Sequence, residues 1–126
     1  MRKPDFFIAG APKCGTTAMH TYLQTHPEVF VSKVKEPSFF ATDLHNSNPL
    51  VCNIEEYLSL FAEVRDEKRV GEASTGYFYS QNAAKELKEF NPSASIIIML
   101  RNPVDMMYSL HGQLLYQGNE DLVNFG

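Results

Sequence analysis

Cysteine is scarce in this chain: Cys14 and Cys52 are too few for a disulfide framework, and neither has the spacing or histidine partners of a zinc site. A reduced, cytoplasmic setting follows as the expectation. Positive charge is scarce as well. The 11 Lys and Arg stand against 15 Asp and Glu, a net charge of -4, which is the wrong sign for gripping a polyanion through many phosphates and argues against nucleic acid as a partner. No apolar run approaches the roughly eighteen residues that would span a membrane, and Met1-Arg2-Lys3-Pro4-Asp5 runs directly into a strand pattern without a signal segment. There is no internal repeat and no low-complexity stretch. His20, His26, His45 and His111 have no carboxylate or cysteine at ligand spacing, so no metal is expected and surface or capping roles suffice for them.

What is present organises itself as alternating elements. With 126 residues, 44% of them hydrophobic, the chain can bury the core of one domain and hardly of two. Asp5 to Gly10 is a short apolar run closed by glycine, the pattern of a buried parallel strand. From Thr16 the spacing turns helical, with Met19, Tyr22 and Leu23 on one stripe, until Pro27 ends it near His26. Glu28 to Val31 predicts a second brief strand, and residues 32–53 read mostly as a loop, long enough to suggest function. Asn53 followed by Glu56 fits a capping box, with Ile54, Tyr57, Leu58 and Phe61 as the inward stripe of a helix.

A strand over Arg69 to Glu72 comes next, then a helix from Ser80 to Phe90 with Ala83, Ala84, Leu87 and Phe90 inward. Ser95 to Leu100 carries three consecutive isoleucines, stiff at χ1 and apolar on both faces, which predicts a central strand. Asn102 as N-cap, Pro103 at the first helical position and Asp105 at the third open a last helix, with Val104, Met107, Leu110 and Leu114 inside. Strands alternating with helices imply an α/β fold built on a parallel, right-handed sheet. Residues 117–126 add turn residues without a closing element, so the domain is expected to be incomplete and to associate through an open sheet edge.

Charge is distributed unevenly: residues 1–35 hold 5 basic and 2 acidic side chains, the remainder 6 and 13. A small anion therefore prefers the N-terminal part. There lies Gly10-Ala11-Pro12-Lys13-Cys14-Gly15-Thr16-Thr17, between the first strand and the first helix. Glycine permits close approach, the helix start carries partial positive charge, and the two hydroxyls and Lys13 add donors, a set suited to phosphate. A nucleoside triphosphatase loop would place lysine after the second glycine; here Thr16 holds that position and the lysine stands two places before Gly15.

Pro12-Lys13-Cys14-Gly15-Thr16-Thr17 resembles the phosphosulfate-binding loop, P/Q-K-x-G-T-T, of sulfotransferases that use 3'-phosphoadenosine 5'-phosphosulfate (PAPS). Lys35-Glu36-Pro37-Ser38-Phe39-Phe40 is similar to the K-E-x-x-F-F segment of the family's membrane-associated and bacterial branches. Leu100-Arg101-Asn102-Pro103-Val104-Asp105, with Tyr108 and Ser109, is similar to its R-N-P-x-D-R-A-Y-S run. The resemblance implies a P-loop-kinase-like parallel sheet with flanking helices, with residues 1–126 as the N-terminal, PAPS-binding portion of a sulfotransferase domain, PAPS as co-substrate and no metal. It places Pro12, Lys13, Cys14, Gly15, Thr16 and Thr17 at the phosphosulfate, and Arg101 and Ser109 at the 3'-phosphate, in a site separate from the Lys13 loop. It makes Lys13 the group that stabilises charge on the leaving phosphate and Glu36 the base that takes a proton from a small-molecule, carbohydrate or protein acceptor.

Without the resemblance, Arg101 also fits a strand-end salt bridge, Ser109 an ordinary helix serine and Glu36 a solvated loop glutamate beside Lys35. Glu72 reads as a strand-end charge or a second site carboxylate, Cys14 as a filler of its loop, and Phe39 and Phe40 as core or pocket wall. The glycosaminoglycan-modifying branch has histidine before the paired phenylalanines and aspartate after them, and an E-K-[ST]-P segment; here stand Ser38, Ala41 and Glu72-Ala73-Ser74-Thr75. Those departures argue against a sulfated polysaccharide acceptor. Two rival readings remain: a nucleotide or small-molecule kinase, and a module that holds PAPS or its product, 3'-phosphoadenosine 5'-phosphate (PAP), without turnover.

Overall fold

The computed structural model describes residues 2–44 and 51–118; His45 and the tail beyond Gly118 lie outside the described residues. Four strands pair in parallel in the order β2-β3-β1-β4, with β1 at Phe6–Gly10, β2 at Val29–Val31, β3 at Arg69–Ala73 and β4 at Ser95–Ile98. Helices α1 (Thr16–Gln24), α2 (Ile54–Ser59), α3 (Ala83–Phe90) and α4 (Pro103–Gln117) follow the strands in turn.

Successive side chains of a strand point to opposite faces, and every residue of β1 is buried. Phe6 and Ile8 meet Val31 and Ala73 on one face, where Met19 and Leu23 of α1 cover them. On the other face, Phe7 and Ala9 join Phe40, Tyr57, Phe61, Val70 and Leu87 under α2 and α3. Helices on both faces of a parallel sheet make the α/β architecture that the alternation predicted. The paired phenylalanines belong to this second core: the Phe39 ring stacks on Tyr57 at 4.8 Å, and Phe40 meets Phe7 edge-on at 6.1 Å.

Local signals act as expected at most boundaries. The Asn53 side chain accepts the Glu56 N–H at 2.9 Å and that of Asn102 accepts the Val104 N–H at 2.9 Å, so both N-caps form. Helix α3 starts at Ala83, later than expected, because the Ser80 hydroxyl accepts the N–H groups of Asn82 and Ala83 and acts ahead of the helix as its cap.

Four expectations are corrected. In α1 the inward side is Thr16, Met19, His20 and Leu23, the i, i+3, i+4, i+7 set, whereas Tyr22 falls off it and is 70% exposed. His20 is consequently buried, with Nε2 2.8 Å from the Ser32 carbonyl oxygen, in place of a surface or capping role. Strand β4 is an edge strand, paired only with β1, and Ile98 is 51% exposed; two-sided apolarity suits a strand with neighbours on both sides, and among the described residues β4 has one. Helix α4 buries none of its described side chains, with Val104 66% and Met107 53% exposed, so only Leu110 and Leu114 of the expected inner row are even half-buried.

Phe61→Ala should therefore destabilise the domain by about 3–5 kcal/mol, the usual cost of emptying a buried aromatic site, while Tyr22→Ala should stay within about 0.5 kcal/mol. Urea unfolding of both variants checks this; equal losses would contradict the assignment of the inward face.

Candidate active site

The ends of β1, β3 and β4 release three loops at the same sheet edge, where open parallel sheets bind ligands. After β1 the chain stays tied to β4 by Ala11 N–H to the Met99 carbonyl at 2.8 Å, with Met99 N–H to the Gly10 carbonyl at 2.9 Å. Gly10 is demanded by packing: a Cβ there would stand 2.6 Å from Cβ of Phe78. Gly15, at φ 83°, takes the left-handed conformation that lets the chain turn into α1, and no side chain caps that helix. Its first turn therefore presents backbone donors and partial positive charge toward the loop. Lys13 is left-handed too, at φ 59°, a backbone that a non-glycine residue keeps only when its surroundings hold it. Arg101 supplies part of that hold, donating from Nη1 to the Lys13 carbonyl at 2.9 Å.

One cavity of about 680 Å³ opens there. Its wall contains Pro12, Lys13, Gly15, Thr16, Thr17, Glu36, Arg101 and Ser109 together, which is every site residue the sequence singled out except Cys14. Cys14 is buried, and its thiol does not form part of the wall. Arg101 and Ser109, expected in a site separate from the Lys13 loop, stand beside it: Arg101 is bonded to that loop and Ser109 lines the same cavity. Nor does Arg101 form a salt bridge with any described carboxylate.

Glu36 is exposed, yet its carboxylate is tied to the end of β3. Its carboxylate accepts the Thr75 N–H at 2.9 and 3.1 Å and the Thr75 hydroxyl at 2.9 Å, and its own N–H donates to the Ala73 carbonyl at 2.9 Å. Lys35, Thr75 and Gln113 also line the cavity and were missed. Lys35 donates from Nζ to the Thr17 hydroxyl at 2.7 Å, setting a second lysine beside the loop. Its signal was its place next to Glu36; that of Gln113 was its position four residues after Ser109, on the same helix face. Thr75 carried none, because only the fold brings β3's end to residue 36. Three cations, Lys13, Lys35 and Arg101, thus surround a space with one carboxylate, Glu36, a balance that favours an anionic ligand.

These features agree with comparisons to known proteins. The family model described as "Sulfotransferase domain" matches residues 3–121. The chain belongs to the sulfotransferase family. It is 29% identical to human "Carbohydrate sulfotransferase 15", over 84% of this chain and 26% of that protein, and 32% identical to mouse "Bifunctional heparan sulfate N-deacetylase/N-sulfotransferase 4", over 84% of this chain and 12% of that one. Among solved structures, a sulfotransferase from Alicyclobacillus acidocaldarius matches with a TM-score of 0.88 and 34% identity, covering 97% of this chain. The chain spans 54% of that protein and about a quarter or less of these curated relatives. Its sheet is thus the P-loop-kinase-like sulfotransferase sheet that the three motifs implied. Among the described residues, no helix is long and apolar enough to cross a membrane and no group of metal-ligating side chains converges.

Beneath the sulfotransferase cavity lies a buried acid. Glu72, read from sequence as a strand-end charge or second site carboxylate, is 0% exposed and does not line the cavity. Burial pushes its carboxyl up to about 7; the hydroxyls of Tyr77, Ser74 and Tyr57 pull it down, and the Glu36 charge adds to the rise. Burial, and then the Glu72 charge, push the Tyr57 and Tyr77 hydroxyls far above the usual tyrosine range.

Glu72 therefore holds its proton to higher pH in the folded state than in the unfolded chain, where it ionises near 4.5. Between those values the native state binds more protons, so this group's contribution to stability falls as pH rises from about 4.5 to about 7, by on the order of 3 kcal/mol. Urea unfolding at pH 5 and pH 8 should show wild type losing more stability than Glu72→Gln across that window; parallel losses would contradict the assignment.

Proposed function

We propose that residues 1–126 form the PAPS-binding portion of a sulfotransferase that transfers the sulfuryl group of PAPS to a hydroxyl or amine. The observation that carries the reading is the single cavity lined by Lys13, Thr16, Thr17, Arg101 and Ser109 together with Glu36. The loop amides, both threonine hydroxyls and Lys13 suit a 5'-phosphosulfate; the Arg101 fork and the Ser109 hydroxyl suit a 3'-phosphate. In transfer, the acceptor oxygen or nitrogen bonds to sulfur as the bond from sulfur to the 5'-phosphate oxygen breaks. Lys13 stabilises the negative charge left on that phosphate. Glu36 takes the acceptor's proton, and Thr75 keeps its carboxylate aimed for that task.

The names of the relatives put carbohydrate acceptors first, while Ser38, Ala41 and Ala73 depart from the glycosaminoglycan pattern and favour a smaller or less sulfated one. Lysine stays absent from the position after Gly15 that a kinase loop would use, which speaks against the kinase reading. Among the described residues neither Cys14 nor Cys52 forms a disulfide, which fits a reducing compartment such as the cytoplasm.

Calorimetry with PAP and AMP tests the reading. Wild type should bind PAP more tightly than AMP, and Arg101→Ala should lose about a hundredfold in PAP affinity, the worth of two charge-assisted hydrogen bonds. Ser109→Ala should lose less. Equal binding of PAP and AMP by wild type, or full discrimination surviving in Arg101→Ala, would contradict it.

A further inference from the structure

We propose that Glu72 is a positioning residue for Glu36: its buried carboxylate orients the hydroxyl of Ser74 so that it can hold the backbone of the segment that carries Glu36. The inference rests on the reading of Glu36 as the base given above. Glu72 lies in β3 with no cation paired to it among the described residues; its partners are hydroxyls from three places. Oε2 accepts from Ser74 at 2.7 Å, and Oε1 accepts from Tyr77 at 2.6 Å and from Tyr57, on α2, at 3.1 Å. A hydroxyl has one proton and two lone pairs. Once its proton is committed to Glu72, it can only accept from its other neighbours.

For Ser74 that neighbour belongs to the segment of Glu36. Its Oγ accepts the Ser38 N–H at 2.9 Å while its proton goes to Glu72, so one hydroxyl donates to Glu72 and accepts from the 36–41 stretch. That stretch needs holding, because Glu36 and Ser38 are left-handed, at φ 55° and 52°, without being glycine. Glu36 N–H on the Ala73 carbonyl and the Thr75 donors on its carboxylate complete the strap along residues 73–75.

A proton on Glu72 would force one of its three hydroxyls to turn from donor to acceptor. Turning Ser74 would leave its own proton without an acceptor, since Ser38 also donates to it. The titratable groups that face Glu72 are Tyr57 from α2, Tyr77 from the turn after β3 and Glu36 from the loop. With the carboxyl poised at about 7, the strap should loosen as pH falls through neutrality.

Amide NMR of the full chain tests this without requiring turnover. In wild type the Ser38 and Glu36 amide resonances should move together with pH, with a midpoint near about 7, and Glu72→Gln should abolish that movement. In Ser74→Ala the Ser38 and Glu36 amides should exchange with solvent about tenfold faster, the loss of one hydrogen bond, and Ser74→Thr should restore them. PAP affinity, measured by calorimetry on the same samples, should stay unchanged in every variant. Amides that do not titrate in wild type, or that still titrate in Glu72→Gln, would overturn the proposal and leave Glu72 a packing residue. Should Glu72→Gln fail to fold, the wild-type titration and the Ser74 pair decide the matter alone. Absent PAP binding by wild type would overturn the sulfotransferase reading and leave the network result standing.

Discussion

Strand β1 is the constraint from which the site follows. It is the one strand with a neighbour on each side and every residue buried, so its backbone is fixed by β3 and β4 and its side chains by the helices on both faces. Because all pairings are parallel, the strands end at one edge, and the loops that leave β1, β3 and β4 there must share a small volume. The short bonds across that edge make the sharing rigid: Ser74 N–H to the Ile8 carbonyl at 3.0 Å on one side, Ala11 N–H to the Met99 carbonyl at 2.8 Å on the other. Lys13, Thr75 and Arg101 are brought to one cavity by the sheet itself.

Within that volume the charges are kept apart. The cations lie on the β1 loop side, next to an uncapped helix start, and the carboxylate lies on the β3 side, tied to Thr75. A carboxylate free to reach Lys13 or Lys35 would neutralise the anion site that those lysines form. Thr75, and behind it the hydroxyls gathered around Glu72, keep Glu36 engaged by neutral donors, so the cations are left to a ligand.

Much of this was legible from the residues, for identifiable reasons. The strand-loop-helix at 5–24 is a local matter of apolar run, glycine and helical spacing, and it formed where expected. The caps at Asn53 and Asn102 depend only on residues two or three places away. What was not legible depends on contacts distant in sequence. The isoleucines of β4 report that a strand is apolar on both faces but not how many strands stand beside it. Glu72 looks like any strand-end carboxylate until Tyr57 and Tyr77, 15 and 5 residues away, close over it. Tyr22 faces outward and His20 inward because the phase of the helix, not the size of a side chain, decides which positions meet the sheet. The union of the Lys13 loop with Arg101, 88 residues apart, required the β1–β4 pairing to be known.

The account stands or falls on a single cavity that holds both ends of one nucleotide. A crystal structure of this chain with PAP bound addresses it directly. The account predicts the 5'-phosphate at the start of α1, within hydrogen-bond reach of the Gly15 to Thr17 amides and of Lys13 Nζ, and the 3'-phosphate on Arg101 and Ser109. PAP seated elsewhere, for instance in the apolar cavity between α3 and β4 lined by Tyr77, Leu87 and Ile98, with the Lys13 loop and Arg101 untouched, would contradict it.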